Sequence, residues 1–138
     1  MRILVLCTGN SCRSQIAEAF LKSFDANMEV YSAGTIPTER VNPYAIRIMN
    51  EIGLDLHNNK PKNVEEFLNQ EFDYVITVCD EANESCPMFS GKVKNRIHIG
   101  SEDPADAKGS DEEIMSVFRK IREQIKEGFY KFYKSINV

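Results

Sequence analysis

The chain has 138 residues, 42% of them hydrophobic and 28% charged, with a formal net charge of −4. It is long enough to build a core without disulfide staples, and its acidic balance, with a pI near 5.3, argues against nucleic acid as a bulk partner. No apolar run approaches the ~20 residues of a membrane span, and no export signal precedes the first strand, so one cytoplasmic domain over residues 1–138 is expected, its four cysteines kept reduced.

In chain order, residues 2–6 read as a buried strand and Ser14 to about Phe24 as an amphipathic helix. Ile16, Ala17, Phe20, Leu21 and Phe24 share one face of that helix. Residues 29–34 form the second strand, closing on Gly34. Pro43 opens a second helix through Met49 and Ile52, ended by Gly53. Residues 63–70 suggest a short helix, 73–78 a third strand and 95–99 a fourth. Ser110 with Glu113 three residues on is a capping box, opening a long helix to about Tyr133. Strands alternating with helices predict an α/β fold with three layers, α/β/α, around a four-stranded parallel sheet. In such sheets ligands sit beyond the carboxyl ends of the strands. Cys7, Ser32 with Gly34, Cys79 and Asp103 each follow a different strand, so they are expected on one rim.

The stretch Cys7-Thr8-Gly9-Asn10-Ser11-Cys12-Arg13-Ser14 joins the first strand to the first helix. A strand-end cysteine is often a small buried hydrophobe. Here the preceding apolar strand, the Gly9-Asn10 pair and the helix after Ser14 point instead to an oxyanion-binding loop with a nucleophile at its mouth. Loop N–H groups and the helix N-terminus favour an anion, and Arg13 can grip it with paired hydrogen bonds. The same field is expected to hold Cys7 as thiolate, with a pKa in the roughly 3.5–7.5 range of such sites. The Ser14 hydroxyl is placed to donate to that sulfur.

Cys79 and Cys86 are seven positions apart, roughly 10.5 Å if the intervening residues are helical. A disulfide needs its α-carbons within about 7 Å, so this pair closes only if that helix unwinds. Two readings stand: a redox pair that reshapes its own segment, or two unrelated half-buried thiols. Zinc is disfavoured because there is no Cys-x2-Cys pair and only His57 and His98 remain as partners, so no metal site is expected. His98, inside the fourth strand, is expected to pack in the core or at the rim rather than to catalyse, and His57 to lie in a loop. Asp103-Pro104 alone is a turn signal. Its place on the rim makes Asp103 a candidate general acid for the departing oxygen of a bound oxyanion.

Taken together, the residues at 7–15, Tyr31-Ser32-Ala33-Gly34, Val41-Asn42-Pro43, the Cys79 to Pro87 segment and Asp103-Pro104-Ala105 resemble the low-molecular-weight protein tyrosine phosphatase superfamily. The resemblance is to its thioredoxin-coupled arsenate reductase branch and spans nearly the whole chain. It implies that Cys7 attacks arsenate held by residues Thr8 to Ser14, with Arg13 gripping the anion and Asp103 protonating the leaving oxygen. It further implies that Cys79 attacks Cys7 and expels arsenite, that Cys86 then attacks Cys79, and that thioredoxin reduces the resulting Cys79–Cys86 disulfide. Cys12 is assigned packing. No cofactor is implied, and a monomer is expected. Some relatives hold potassium near the loop; Asn10, Glu18 and Ser32 match three of its ligands, but Lys62 falls at the fourth. Its ammonium is expected to take the cation's place.

A rival reading is a phosphatase for phosphotyrosine or small phosphoesters, using Cys7, Arg13 and Asp103 without Cys79 or Cys86. Ala105 and Asp106 stand where that reading expects aromatic residues after Asp-Pro. Residual phosphatase activity is expected, because phosphate and arsenate are near-isosteric. A redox-sensing module signalling through Cys79 and Cys86 is a second rival, distinguished by the absence of turnover.

Overall fold

A computed structural model describes residues 1–80, 82, 86–104 and 107–136. Its elements run β1 (Arg2–Cys7), α1 (Arg13–Phe24), β2 (Glu29–Gly34), α2 (Pro43–Asn50), a 3₁₀ turn (Val64–Phe67), β3 (Phe72–Thr77), β4 (Val93–His98) and α3 (Asp111–Ile136). The four strands form one sheet in the order β2-β1-β3-β4, every neighbouring pair parallel. The first crossover leads from β1 to one side and the next returns past it, so the order reverses beside β1. That reversal is where an open α/β sheet leaves a crevice at its carboxyl edge.

Ile3, Leu4, Val5 and Leu6 are completely buried, as expected for a central parallel strand covered on both faces. The period of two divides them. Ile3, Val5 and Cys7 join Ile16, Phe20, Ile48, Ile121, Ile125 and Phe129 in a core against the three helices. Leu4 and Leu6 face the other way, into a smaller cluster with Ala33, Val64, Phe67, Phe72 and Val75. The expected three layers are therefore unequal. Long helices cover one face; among the described residues the other is covered by the 3₁₀ turn and the chain near Phe89. Each fully buried aliphatic or aromatic side chain contributes about 1.5–3 kcal/mol of burial free energy.

Local signals explain most boundaries. Asn42 caps α2 through the Tyr44 N–H at 2.8 Å, with Pro43 as the first helical residue. The Ser110–Glu113 capping box forms in both directions at 3.2 Å. A second such box, Asn63 with Glu66, holds residues 64–67 as a 3₁₀ turn where a short helix over 63–70 was expected. The expected extension of α2 to Ile52 does not occur. The helix stops at Asn50, Gly53 takes φ +79°, and Ile52 is 41% exposed. The short helix expected between Cys79 and Cys86 falls largely on residues outside the described set, as do Ala105 and Asp106.

Candidate active site

β1 delivers Cys7 to the carboxyl edge, and the chain curls through residues 8–12 before α1 begins at Arg13. Asn10 sits at φ +50°, a left-handed conformation that asparagine tolerates. The segment after β2 braces this curl from outside. The N–H groups of Thr35, Ile36, Thr38 and Asn42 donate to the carbonyls of Cys7, Thr8, Gly9 and Ser11 at 2.8–3.2 Å. With those carbonyls tied outward, the loop's N–H edge is the one left to meet an anion. Cys12 caps α1 without a side-chain hydrogen bond, which leaves the helix's first N–H groups to the same purpose. Gly34 permits the close approach: a Cβ there would lie 2.5 Å from the Thr8 carbonyl oxygen.

Cys7 is buried, 4% exposed. The Ser14 hydroxyl lies 2.8 Å from its sulfur and the Asn10 N–H donates to it at 3.1 Å. Asn10 Nδ2 donates to Ser14 Oγ at 2.7 Å, so the serine's own proton is free to point at the sulfur. The low thiol pKa expected from sequence meets an opposing effect here. Burial pushes the Cys7 thiol up, while the hydroxyl and N–H of Ser14 and the N–H of Asn10 pull it down and the nearby Cys79 adds to the rise. The net direction is upward. Those three donors favour the thiolate against that burial. Burial also pushes the Cys12 thiol, in the same loop, up to about 12, with Cys7 adding and Arg13 opposing, which fits packing.

A line of hydrogen bonds runs outward from this sulfur. Asn10 Nδ2 also donates to Ser32 Oγ at 3.0 Å, Ser32 donates to Glu18 at 2.6 Å, and Glu18 pairs with Lys22 at 2.6 Å. Asn10, Ser32 and Glu18 are all buried. Lys62 donates its backbone N–H to Asn10 Oδ1 at 2.8 Å and its ammonium to the Lys60 carbonyl at 3.2 Å; that ammonium also feels the Glu18 carboxylate, whose direct ion pair is with Lys22. Glu18 and Lys22 are four apart on α1, a spacing that announces such a pair. Sequence reasoning also missed Gln15, fully buried, whose Nε2 reaches Asn10 O, Asn10 Oδ1 and Lys60 O at 3.1–3.2 Å. No spacing rule marks a glutamine that braces a loop from behind.

Arg13 reaches along the rim to Asp103, Nη2 to Oδ2 3.6 Å, and to the Ser101 carbonyl at 3.4 Å. Its side chain is 11% exposed and that of Asp103 49%. Guanidinium, carboxyl group and Cys7 loop thus share one edge of the sheet, as expected. Cys79 is buried just beyond β3, its sulfur 3.4 Å from Thr8 Oγ1. Cys86 is not beside it: Cys79 packs in the helix-side core, Cys86 against the opposite cluster. All four cysteines are free thiols. His98 is not packed inward. It bridges Thr77 through Nδ1 at 2.8 Å and Asp80 through Nε2 at 3.2 Å. Among the described residues no group of three His, Cys, Asp or Glu side chains is arranged to hold a metal. No described helix is long and apolar enough to cross a membrane.

A buried thiol in a strand-to-helix loop, braced for an oxyanion and faced by an arginine–aspartate pair, defines a cysteine-nucleophile oxyanion-transfer site on a parallel α/β sheet. Comparison with known proteins makes the assignment specific. Residues 2–138 match the model for low molecular weight phosphotyrosine protein phosphatase, and the chain belongs to that family. It is 44% identical over 124 residues to the arsenate reductase of Halalkalibacterium halodurans, covering 89% of this chain and 88% of that one. A solved arsenate reductase in its phosphate-binding state superposes with TM-score 0.81 at 31% identity, covering 98% of each chain. The thioredoxin-dependent arsenate reductase of Corynebacterium glutamicum superposes at 0.72 with 28% identity, over 99% of this chain and 61% of that one.

Proposed function

We propose that this protein is a cytoplasmic, monomeric, single-domain arsenate reductase that passes oxidising equivalents through Cys7, Cys79 and Cys86 to thioredoxin. Arsenate enters the loop of residues Thr8 to Ser14, held by N–H groups and Arg13. The Cys7 thiolate attacks arsenic; an oxygen leaves as water, taking a proton from Asp103. Cys79 then attacks the Cys7 sulfur. The electron pair of the S–As bond stays on arsenic, arsenite departs, and a Cys7–Cys79 disulfide remains. Cys86 attacks Cys79, freeing Cys7 as thiolate and leaving Cys79–Cys86, which a thioredoxin dithiol reduces by exchange.

The observation that carries this reading is the second thiol at the loop: Cys79, buried, with its sulfur 3.4 Å from Thr8 Oγ1. Phosphoester hydrolysis needs Cys7, Arg13 and Asp103 but has no use for a thiol there. Similarity to relatives bearing the name arsenate reductase supports the same conclusion. The test is arsenite release from arsenate with thioredoxin, its reductase and NADPH. Wild type is expected to turn over continuously and Cys86→Ser to stop near one equivalent. Absence of arsenite from both proteins, together with hydrolysis of a phenyl phosphate, would overturn the reading in favour of a phosphatase.

A further inference from the structure

We propose that Arg96 sets the redox balance of the Cys79–Cys86 pair by stabilising its reduced form. β3 and β4 pair in register, Val75 beside Arg96 and Thr77 beside His98. These four residues share the sheet face away from the long helices. With Cys86 and Ile97 they line a cavity of about 280 Å³. In it Arg96 Nη1 donates to Cys86 Sγ at 3.5 Å. The guanidinium lies 5.3 Å over the Phe89 ring, which in turn meets Phe72 edge-on at 6.2 Å. Among the described residues Arg96 pairs with no carboxylate, so its charge is directed at the sulfur and the ring. The other titratable groups beside this cavity are His98 and the Asp80 that it bridges.

The contact exists in only one redox state. Cys79 and Cys86 rest in clusters on opposite faces of the sheet. Joining them requires one thiol to leave its seat, and Cys86, only half-buried where Cys79 is buried, is the one less firmly held. A disulfide sulfur is a poorer acceptor for a guanidinium than a free cysteine sulfur, so the charge-assisted bond and the ring-backed seat are forfeited together. An interaction present only in the reduced protein shifts the exchange equilibrium toward the dithiol by its own free energy. The Cys79–Cys86 disulfide becomes the stronger oxidant and discharges more readily to an incoming dithiol. Atoms balance in that exchange: the disulfide takes two electrons and two protons, and the dithiol reductant becomes a disulfide. Arg96 touches neither arsenate nor the reacting Cys7 and is a positioning residue.

This inference rests on the three-cysteine relay, and its test separates the two. A Cys7→Ser protein retains Cys79 and Cys86 and is equilibrated at pH 7 in thiol–disulfide buffers of graded potential. Acid quenching, alkylation and mass spectrometry then give the oxidised fraction. Arg96→Gln is expected to favour the disulfide about tenfold, a midpoint about 30 mV more negative for a two-electron couple. Arg96→Lys falls between. Lys94→Gln, which removes a charge from the same strand but is paired with Asp73, leaves the midpoint in place. Phe89→Leu removes the ring while keeping the guanidinium, and gives a smaller shift in the same direction even if the Arg96 variants fold poorly. An unmoved midpoint in Arg96→Gln, or an equal shift in Lys94→Gln, overturns the role of Arg96 alone. Failure of any Cys79–Cys86 disulfide to form with Arg96 intact overturns the relay and this inference with it.

Discussion

Cys7 is poised by burial acting against three hydrogen bonds. Removing one donor tips that balance in a calculable direction. Ser14→Ala deletes a charge-assisted bond of about 1.5–3 kcal/mol, which corresponds to roughly a 10–100-fold fall in kcat/KM. Because the lost bond favours thiolate, the pH profile of Cys7 alkylation moves further toward alkali in the variant. The sign for stability is the reverse of a carboxylate's. A thiol raised by burial stabilises the fold below its unfolded value of about 8.5, and that stabilisation is lost as pH climbs through the folded value. The anion-free protein should therefore unfold at lower urea concentration as pH rises past about 9. Gly34→Ala tests the loop's shape. Its Cβ meets the Thr8 carbonyl and the Asn10 nitrogen, both backbone atoms that cannot swing aside. Phosphate is expected to raise the Tm of the wild type and to leave that of the variant unmoved.

Between elements, the seam of α2 and α3 is held by charge. Glu51 accepts from Arg119 and Arg122 at 2.8–3.2 Å, and the two guanidinium groups hold its carboxyl down at about 2. A lowered carboxylate stabilises the fold above its unfolded value of about 4.3, and the contribution is lost as pH falls toward 2. Glu51→Gln should lower Tm at pH 6, with the gap to wild type closing between pH 4 and 2. Asn42→Ala removes the cap of α2 and is expected to cost about 1 kcal/mol in urea unfolding. The elements themselves were legible because period and cap coincide: Ser110 with Glu113, Pro43 after Asn42, and the apolar run at residues 3–6. Boundaries failed where tertiary bonds decide them. β4 begins at Val93, two residues early, because Val93 aligns with Phe72 across β3. Lys92 already accepts from the Phe72 N–H. No local pattern in Val93-Lys94-Asn95 announces that pairing.

For the whole molecule, the sheet lies between the thiols of the proposed relay, with Cys7 and Cys79 on the helix face and Cys86 on the other. Closing Cys79–Cys86 must disturb the segment that seats Cys86. The N–H groups of Ser90 and Gly91, both bonded to the Leu68 carbonyl, report on that segment. Hydrogen exchange at these two amides should accelerate at least tenfold in oxidised protein while the core strand Ile3–Leu6 stays protected. The rim was legible from strand order alone, since Cys7 ends β1 while Cys79 and Asp103 follow β3 and β4. The frame behind the loop was not. Gln15 contributes through the three-dimensional course of α1 past residue 60, which no single-chain spacing encodes.

The tying of the loop's carbonyls by residues 35–42 bears on discrimination. A cradle held in shape by the chain's own hydrogen bonds cannot tell two tetrahedral anions of nearly equal size apart by closing around one of them. Phosphate then enters as easily as arsenate. What separates them is the step after entry: an S–As bond surrenders its electron pair to arsenic when a second thiol attacks, whereas phosphorus keeps its oxidation state and leaves as it came. Such a reductase holds phosphate as a reversible occupant, and its selectivity is exercised by consumption of arsenate.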